Sequence, residues 1–469
     1  GESRVCVVVE SGVDGEVCGG CYQTLTTQMM NLLYLSKQLF CKSSAALHYL
    51  REGHGADMDS PELVSALLAF YEKRYDDALA SARLARIETP WLYESLSLEG
   101  DVHEQLAIEL QERGEYEAAL RGYENALEAH RAAADVGRSD PAVYTSLCGL
   151  DGAIMRMELQ STARDVAPYF ERGTARCERA LEAAPGDLDA LLALAALHNH
   201  MGQYLRVKNE DPRKHFERSI ELAKKSLEGR ADHRAHGSIA TALMEIGFFE
   251  QERGNDPREH LRRAAEAHED RIALEPDDVA YNDLGTVHKR IAVFERNRGD
   301  DPRESLRRAI DAYRESLERN PVQVAASTNL GTAHYDLALW EMDHGENPVP
   351  SFESAIAALR SAEKINPNQI VALYNLGRVY SDQAWYVRGR GEDPRSLLDE
   401  ASDAFRRAID VNPESAYVPH FYSGLGSALD SRAHYEWDTG QDPTATLARA
   451  IDAYRQAVAS NPNHVYSQS

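Results

Sequence analysis

The chain has 469 residues, more than one compact core usually needs, so it forms either several domains or one array that grows by addition. Its 76 acidic and 51 basic residues give a formal net charge of −25, which repels nucleic-acid phosphates and anionic lipid surfaces and argues against both as partners. The sequence has no apolar run long enough to span a membrane and only six cysteines, so we expect no membrane segment, no disulfide framework and a cytoplasmic location.

Residues 1–56 form a non-repeat segment. Residues 4–10 (Arg-Val-Cys-Val-Val-Val-Glu) predict a short strand, residues 11–20 hold four glycines and predict a turn, and residues 22–50 predict one or two helices. A single strand is not stable without a neighbour, so an upstream segment or another molecule would have to supply the partner strand.

Four cysteines in this segment, Cys6, Cys18, Cys21 and Cys41, could form a zinc site. Two residues separate Cys18 from Cys21, a spacing found in zinc knuckles, and the other two would complete a set of four thiolates. Two alternatives stay open: a redox pair, and reduced, unpaired cysteines within a small apolar subdomain. Zinc is therefore an alternative here, and the sequence predicts no other cofactor.

From residue 57 onward the sequence is periodic, and three kinds of marker recur in step. Prolines return every 45 to 49 residues at Pro276, Pro321, Pro367, Pro413 and Pro462. A Leu-Gly pair follows each of the first four, at Leu284-Gly285, Leu330-Gly331, Leu376-Gly377 and Leu425-Gly426. An Asp-Pro pair comes next, as at Asp256-Pro257, Asp301-Pro302, Asp393-Pro394 and Asp442-Pro443.

Each marker has a stereochemical meaning. Asp before Pro predicts the start of a helix, because Asp caps free backbone N–H groups and Pro fits the first turn; Glu304 after Asp301 would complete a capping box. The preceding glycines predict left-handed helix ends, at Gly254, Gly299, Gly345 and Gly440. The Gly of each Leu-Gly pair lies mid-helix, where it costs about 1 kcal/mol unless close helix packing requires it. Each period is therefore helix A, a Gly-Asp-Pro turn, helix B and an Asn-Pro stop.

Helix B carries an apolar stripe that a single hairpin cannot bury. In one period the stripe is Leu306, Ala309, Ile310, Tyr313 and Leu317. Stacked neighbours would cover it, which is how a solenoid is stabilised.

These residues resemble the tetratricopeptide repeat (TPR), whose helix A has Leu-Gly and whose helix B has Ala, an aromatic, Ala and Pro. The match recurs in phase at Ala309, Tyr313 and Pro321, at Ala401, Phe405, Ala408 and Pro413, and at Ala450, Tyr454, Ala457 and Pro462. The resemblance implies an all-α, right-handed superhelical solenoid of about nine antiparallel helix hairpins over residues 57–469. About 11 extra residues per period equal about three helical turns, which predicts elongated helices in most hairpins. Residues 61–90 predict a hairpin of ordinary length.

The segment 60–120 and the recurring Gly-x-Asp-Pro-Arg turns are also similar to the long C-terminal TPR arrays of bacterial serine/threonine protein kinases. No kinase signature occurs in the sequence: it has no Gly-rich phosphate loop, no His-Arg-Asp loop and no Asp-Phe-Gly. The resemblance therefore implies a regulatory or recruitment region of a bacterial signalling protein, with a catalytic domain upstream or on a partner.

Several residues suggest chemistry but have simpler explanations. His103, His198, His288 and His334 occupy the slot three residues after the repeat glycine or its equivalent, where packing is expected rather than metal binding. Carboxylates recur near the end of helix A at Glu250, Glu295, Glu341 and Glu436 and are expected to face solvent or to pair with an arginine of the next period. No catalytic motif is present, so we do not expect an enzyme.

The concave wall of such a solenoid, lined by helices A, is the expected binding surface for a protein or peptide. The resemblance places the following residues on that wall: Asn282, Lys289, Arg290, Thr328, Tyr335, Tyr374, Arg378, Tyr422 and Ser427. Thr286, Thr332, Arg378 and Ser427 stand where some family members have the Asn that clamps a C-terminal carboxylate, which argues against that ligand. The alternative function is structural self-assembly into a homo-oligomer through uncapped solenoid ends.

Overall fold

The computed structural model describes residues 60–460 except residues 114, 162–164, 414 and 416. The predicted strand at residues 4–10 and the candidate zinc ligands Cys6, Cys18, Cys21 and Cys41 lie outside the described residues. The predicted boundary between residues 56 and 57 also lies there and stays a prediction.

All regular secondary structure within the described residues is helical, which confirms the all-α prediction. The helices are α1 (Pro61–Tyr71), α2 (Tyr75–Glu88), α3 (Glu94–Glu112), α4 (Tyr116–Val136), α5 (Pro141–Ser161), α6 (Ala167–Ala183), α7 (Leu188–Val207), α8 (Arg213–Leu227), α9 (His233–Glu252), α10 (Arg258–Leu274), α11 (Asp278–Arg298), α12 (Arg303–Arg319), α13 (Val324–Asp343), α14 (Val349–Ile365), α15 (Ile370–Gly389), α16 (Arg395–Val411), α17 (Val418–Asp438) and α18 (Thr444–Ser460). None of them combines the length and the apolar character that crossing a membrane requires.

Odd-numbered helices are helices A and even-numbered helices are helices B. The first hairpin is short, with helices of 11 and 14 residues, whereas α11 and α12 have 21 and 17 residues. The extra residues of the long period therefore lengthen both helices, as predicted, while the connecting turns stay short.

The chain divides into two compact units, the first ending at Phe249 and the second beginning at Glu250. Within each unit, helix A packs against its own helix B, and helix B packs against the next helix A. Helices A also contact one another directly, through α1, α3, α5 and α7 in the first unit and through α11, α13, α15 and α17 in the second. In the described part of the chain no comparable packing joins helices B, so helices A form the inner side of each unit.

The glycine of each Leu-Gly pair allows a ring or a branched side chain of helix B to lie against the backbone of helix A. A Cβ atom on Gly285 would be 2.6 Å from Cε1 of Tyr313, and one on Gly377 would be 2.7 Å from Cε1 of Phe405. Both rings are almost completely buried. Close helix packing, the reason inferred from the sequence, is therefore confirmed as the reason for glycine at these positions.

The turns between helix A and helix B follow the predicted stereochemistry in part. All four predicted left-handed glycines have positive φ, for example +80° at Gly299, and Gly391 has it as well. The capping box is wrong: helix α12 begins at Arg303, Asp301 accepts the Arg303 N–H at 3.0 Å, and Glu304 pairs with Arg307 and with Arg308. Glu304 is the second residue of α12, and its carboxylate pairs with arginines three and four residues further along the helix.

The arginine of the Asp-Pro-Arg turn links successive hairpins. Arg303 forms a fork on Asp301 (Nε–Oδ1 3.0 Å, Nη2–Oδ2 2.7 Å), and its Nη1 donates to Oε1 of Glu346 in the next turn at 3.2 Å. Arg258 and Arg395 form the same fork and reach Asp300 and Gln441 of the following turn in the same way. The motif therefore sets the register between neighbouring hairpins.

One pair of cysteines departs from the sequence expectation. Cys148 on α5 and Cys177 on α6 are buried and form a disulfide, with their Cα atoms 5.5 Å apart. Composition argued against disulfides, but the pairing depends on two facing helix positions that a count of cysteines does not reveal. Beside it, the fully buried Asp151 accepts from Arg172 Nε at 2.9 Å and from Arg176 Nη1 at 2.6 Å, so its carboxylate is paired.

Candidate partner-binding wall

The inner wall of the second unit is built from helices α11, α13, α15 and α17, and polar side chains link successive helices A. Asn329 on α13 donates through Nδ2 to Oδ1 of Asn282 on α11 at 3.0 Å. Thr332, one turn after Asn329 on α13, accepts through Oγ1 from Nζ of Lys289 at 2.5 Å. These contacts bring the predicted residues Asn282 and Lys289 to the same side of the unit.

Two further links continue the wall. Arg296 on α11 pairs with Asp336 on α13, with Nη1 3.1 Å from Oδ1. The hydroxyl of Tyr335 on α13 donates to the carboxylate of Asp382 on α15. The wall is thus connected by side chains over three successive helices A.

Arg378 lies over two aromatic rings on this wall. Its guanidinium carbon is 5.0 Å from the ring centroid of Tyr335 and 5.8 Å from that of Tyr374. The Tyr374 ring in turn packs against Phe405 and Phe421, at centroid distances of 5.9 and 5.4 Å. The guanidinium is therefore held at the wall surface by a platform anchored in the core.

The nine predicted wall residues differ in exposure. Arg290, Arg378 and Ser427 are exposed, and Asn282, Lys289, Tyr374 and Tyr422 are half-buried. The structure differs from the expectation at Thr328 and Tyr335, which are only 5% and 3% exposed. The Thr328 hydroxyl donates to the Val324 carbonyl within its own helix, and the Tyr335 hydroxyl binds Asp382, so these two residues support the wall from behind.

The electrostatic environment of Lys289 is unfavourable to its charge. Burial lowers the pKa of Lys289 below its ordinary value, and Arg290, Arg378 and Arg296 lower it further, against the opposing effect of Asp336. Burial also raises the pKa of the Asp382 carboxyl, while Tyr335 and Arg378 act in the opposite direction. The charges of Lys289, Arg378, Asp336 and Asp382 therefore influence one another electrostatically: Lys289 interacts with Asp336 and Arg378, and Arg378 with Asp382.

Sequence reasoning missed the partners that connect the wall. Asn329, Asp336 and Asp382 were not singled out, and Thr332 was named only as a replacement of the clamp Asn, although each lies 40 to 47 residues from the residue it binds. That separation is one repeat period, so pairing polar residues one period apart on helix A would have found them. Tyr422 and Ser427 on α17 make no hydrogen bond, ion pair or ring contact with this group among the described residues.

Comparisons with known proteins give similarity in architecture only. No protein-family model matches the chain, and no curated protein matches it. Among solved structures it is similar to YrrB, a TPR protein with an unusual peptide-binding site (18% identity, 53% of this chain and 98% of that chain covered, TM-score 0.32). It is also similar to the S. pombe nuclear import adaptor Nro1 (12%, 61% and 98%, TM-score 0.44) and to the human IFIT1 dimer with m7Gppp-AAAA (15%, 90% and 82%, TM-score 0.42). The function of this chain is therefore inferred from its own residues.

The histidines that suggested metal binding lie between helices. His288 and His334 are buried, and burial lowers the pKa of each to about 4. His198 is half-buried, with its Nδ1 3.1 Å from Nδ1 of His215 and its ring 5.2 Å from that of Phe170. Nowhere in residues 60–460, as far as they are described, do three His, Cys, Asp or Glu side chains gather to hold a metal ion.

The carboxylates near the end of helix A lie beside arginines, but of the preceding hairpin rather than the next one. Glu341 on α13 acts electrostatically on Arg303, the arginine of the Asp-Pro-Arg turn at the start of α12. Glu436 on α17 does the same to Arg395 at the start of α16. Glu436 also forms an ion pair with Arg432 of its own helix, with Oε1 3.0 Å from Nε. Among the described residues neither Glu341 nor Glu436 forms an ion pair with an arginine of the next period.

Proposed function

We propose that this chain is a protein-binding scaffold whose second unit holds a segment of a partner polypeptide against the wall formed by α11, α13, α15 and α17. One observation carries the proposal: the exposed Arg378, which lies over Tyr374, and the half-buried Lys289 both contact α13, at positions three residues apart. Fixed aromatic and cationic side chains are typical of surfaces that bind polypeptides.

The finer proposal is that the bound partner is an enzyme, or that an enzyme is attached to this chain, and that the scaffold regulates or recruits it in the cytoplasm. The similarity of the Gly-x-Asp-Pro-Arg turns to the arrays of bacterial protein kinases supports this proposal. The scaffold itself would carry out no reaction.

Site-specific photo-crosslinking tests the binding surface. A benzoylphenylalanine at Ser427, an exposed residue of the wall, should capture discrete polypeptides from a cell lysate, which mass spectrometry then identifies. The same group at Arg314, an exposed residue of helix B in the same unit, is the matched control and should capture far less. Equal capture at the two positions, or none at Ser427, would contradict the proposal.

Self-assembly is the second candidate, favoured by the last described helix. Leu447 and Ile451 on α18 are 37% and 49% exposed, whereas Leu306 and Ile310 in the same positions of α12 are 1% and 5% exposed. A second copy could cover this face. Sedimentation equilibrium of the full chain should then show an oligomer that Ile451→Glu dissociates, and a strict monomer at high concentration would exclude it.

A further inference from the structure

Two cations on the wall of the second unit, Lys289 and Arg378, form no ion pair with any described residue. Among the described residues neither Lys289 on α11 nor Arg378 on α15 forms an ion pair, and the shortest polar contact of Arg378 is 3.5 Å, to Oδ1 of Asn375. The ammonium of Lys289 uses one of its three donors, on Thr332. Arg296, on the same wall, is paired with Asp336. Lys289 and Arg378 therefore act on Asp336 and Asp382 through space, without a direct ion pair to either.

Lys289 and Arg378 both contact α13, at the Thr332 hydroxyl and at the Tyr335 ring, and these two residues are three positions apart on that helix. Arg290, Arg378 and Arg296 repel the charge of Lys289, and Asp336 attracts it. Positive charge is therefore concentrated here on a chain whose net charge is −25. Salt screens exposed charges beyond about 8 Å at physiological ionic strength, so the local excess of positive charge governs what binds there.

The arrangement is also preorganised for an anion. Tyr335 and Tyr374 hold the guanidinium of Arg378 by its face, and Asp382 fixes the Tyr335 ring through its hydroxyl. The donors along the edge of the guanidinium stay available, and a carboxylate can accept two of them in parallel. Little side-chain entropy is then lost when the anion binds.

A half-buried lysine among arginines costs stability, because burial and like charges both disfavour the ammonium. Nothing in the packing requires a cation there, since its one hydrogen bond goes to a threonine hydroxyl. Residues that lower stability without a structural need are characteristic of binding sites. Lys289 therefore has the properties of a binding residue and not of a structural one.

We propose that the partner segment is acidic, and that one of its Asp or Glu carboxylates binds between Lys289 Nζ and the guanidinium of Arg378. This inference rests on the proposed function and specifies the chemistry of the partner. A polypeptide is favoured over RNA because a backbone of consecutive phosphates would be repelled by the rest of this acidic chain.

Selection from a displayed peptide library tests the proposal. Random 12-residue peptides fused through their C-termini to a phage coat protein offer no free C-terminal carboxylate, so enrichment must reflect side chains. The immobilised full-length chain should enrich Asp and Glu over the input library. The double variant Lys289→Gln/Arg378→Gln should show no such enrichment. A selection without acidic enrichment, or one that the double variant preserves, would overturn the proposal.

Affinity measurements then assign the roles. A selected peptide, amidated at its C-terminus and labelled with fluorescein, should bind the Lys289→Gln or the Arg378→Gln variant about tenfold more weakly than the unaltered chain. A peptide with Gln in place of Glu should bind the unaltered chain and both variants with the same affinity. Arg378→Lys keeps the charge but not the fork and should be intermediate. Arg307→Gln removes an equal charge from exposed helix B and should change affinity less than twofold. Equal losses in all variants would mean nonspecific attraction and would refute the site.

Two readouts separate this inference from the function on which it rests. Lys289→Gln should raise the midpoint of unfolding and weaken binding. If Lys289 stabilised the fold instead, the same substitution would lower the midpoint. If crosslinking at Ser427 captures polypeptides but selection yields no acidic preference, the inference fails and the scaffold function stands. If neither experiment yields a polypeptide, both fail. Tighter binding of a fluorescent oligouridylate than of the acidic peptide would identify a nucleic-acid site and overturn the inference.

Discussion

The contact between Gly285 and Tyr313 allows a sharp test of why helix A carries glycine at this position. Replacing Gly285 by Ala should gain about 1 kcal/mol from helix propensity. The new Cβ would, however, lie 2.6 Å from Cε1 and 2.7 Å from Cδ1 of a ring that is 0% exposed. Such overpacking costs about 1–3 kcal/mol, so the net change should lie between neutral and destabilising by about 2 kcal/mol.

A double-mutant cycle isolates the cause. Tyr313→Ala alone should cost about 3–5 kcal/mol, because it leaves a cavity. In that background the Cβ of Gly285→Ala has room, and the same substitution should stabilise by about 1 kcal/mol, so its sign reverses. Gly149, an exposed helical glycine with no heavy atom within 4 Å of an added Cβ, is the control, and Gly149→Ala should stabilise the first unit by about 1 kcal/mol.

Urea unfolding gives the measurement. Three of the four tryptophans, Trp340, Trp385 and Trp437, belong to the second unit, so their fluorescence follows mainly the unit that contains Gly285. The reasoning is refuted if Gly285→Ala stabilises as Gly149→Ala does, or if its cost is unchanged when Tyr313 is removed. A change in the slope of the transition would indicate an altered denatured state instead.

Three further predictions concern interactions between and within hairpins. Arg303→Lys keeps the charge but loses the fork to both neighbours, so we expect a loss below about 1 kcal/mol and faster amide exchange in the following turn, with the turn before α18 unchanged. Burial lowers the pKa of His334 to about 4, so the folded state favours the neutral imidazole. As pH falls from about 6.5 towards 4, this lowers the free energy of unfolding, by about 2 kcal/mol at pH 5. His334→Tyr should therefore shift the midpoint of acid unfolding to lower pH. Reducing Cys148–Cys177, which are 29 residues apart, should lower the stability of the first unit by about 3–4 kcal/mol, whereas unchanged thermal unfolding with dithiothreitol would show that the disulfide does not stabilise it.

The repeat period places the candidate wall residues on helices A but does not reveal their contacts. Lys289, Tyr374 and Arg378 lie on α11 and α15 near the glycine marker, and their role in binding stays a prediction. Sequence could not distinguish Tyr335 and Arg378, since both stand close to a repeat glycine. Tyr335 stands four residues after its repeat glycine and Arg378 one residue after its own, so they face different directions on helix A, and the structure shows that the first is buried and the second exposed.

What the sequence alone determined is what a short segment can encode. The period, the alternation of helices A and B, the left-handed glycine at Gly299 and the need for glycine opposite Tyr313 all follow from local stereochemistry or from a regular spacing. The tertiary structure alone decided which side chains meet across hairpins. The bond from Lys289 to Thr332 and the Cys148–Cys177 disulfide depend on the axial offset and rotation of packed helices, which composition and spacing leave undefined because many pairings share the same period.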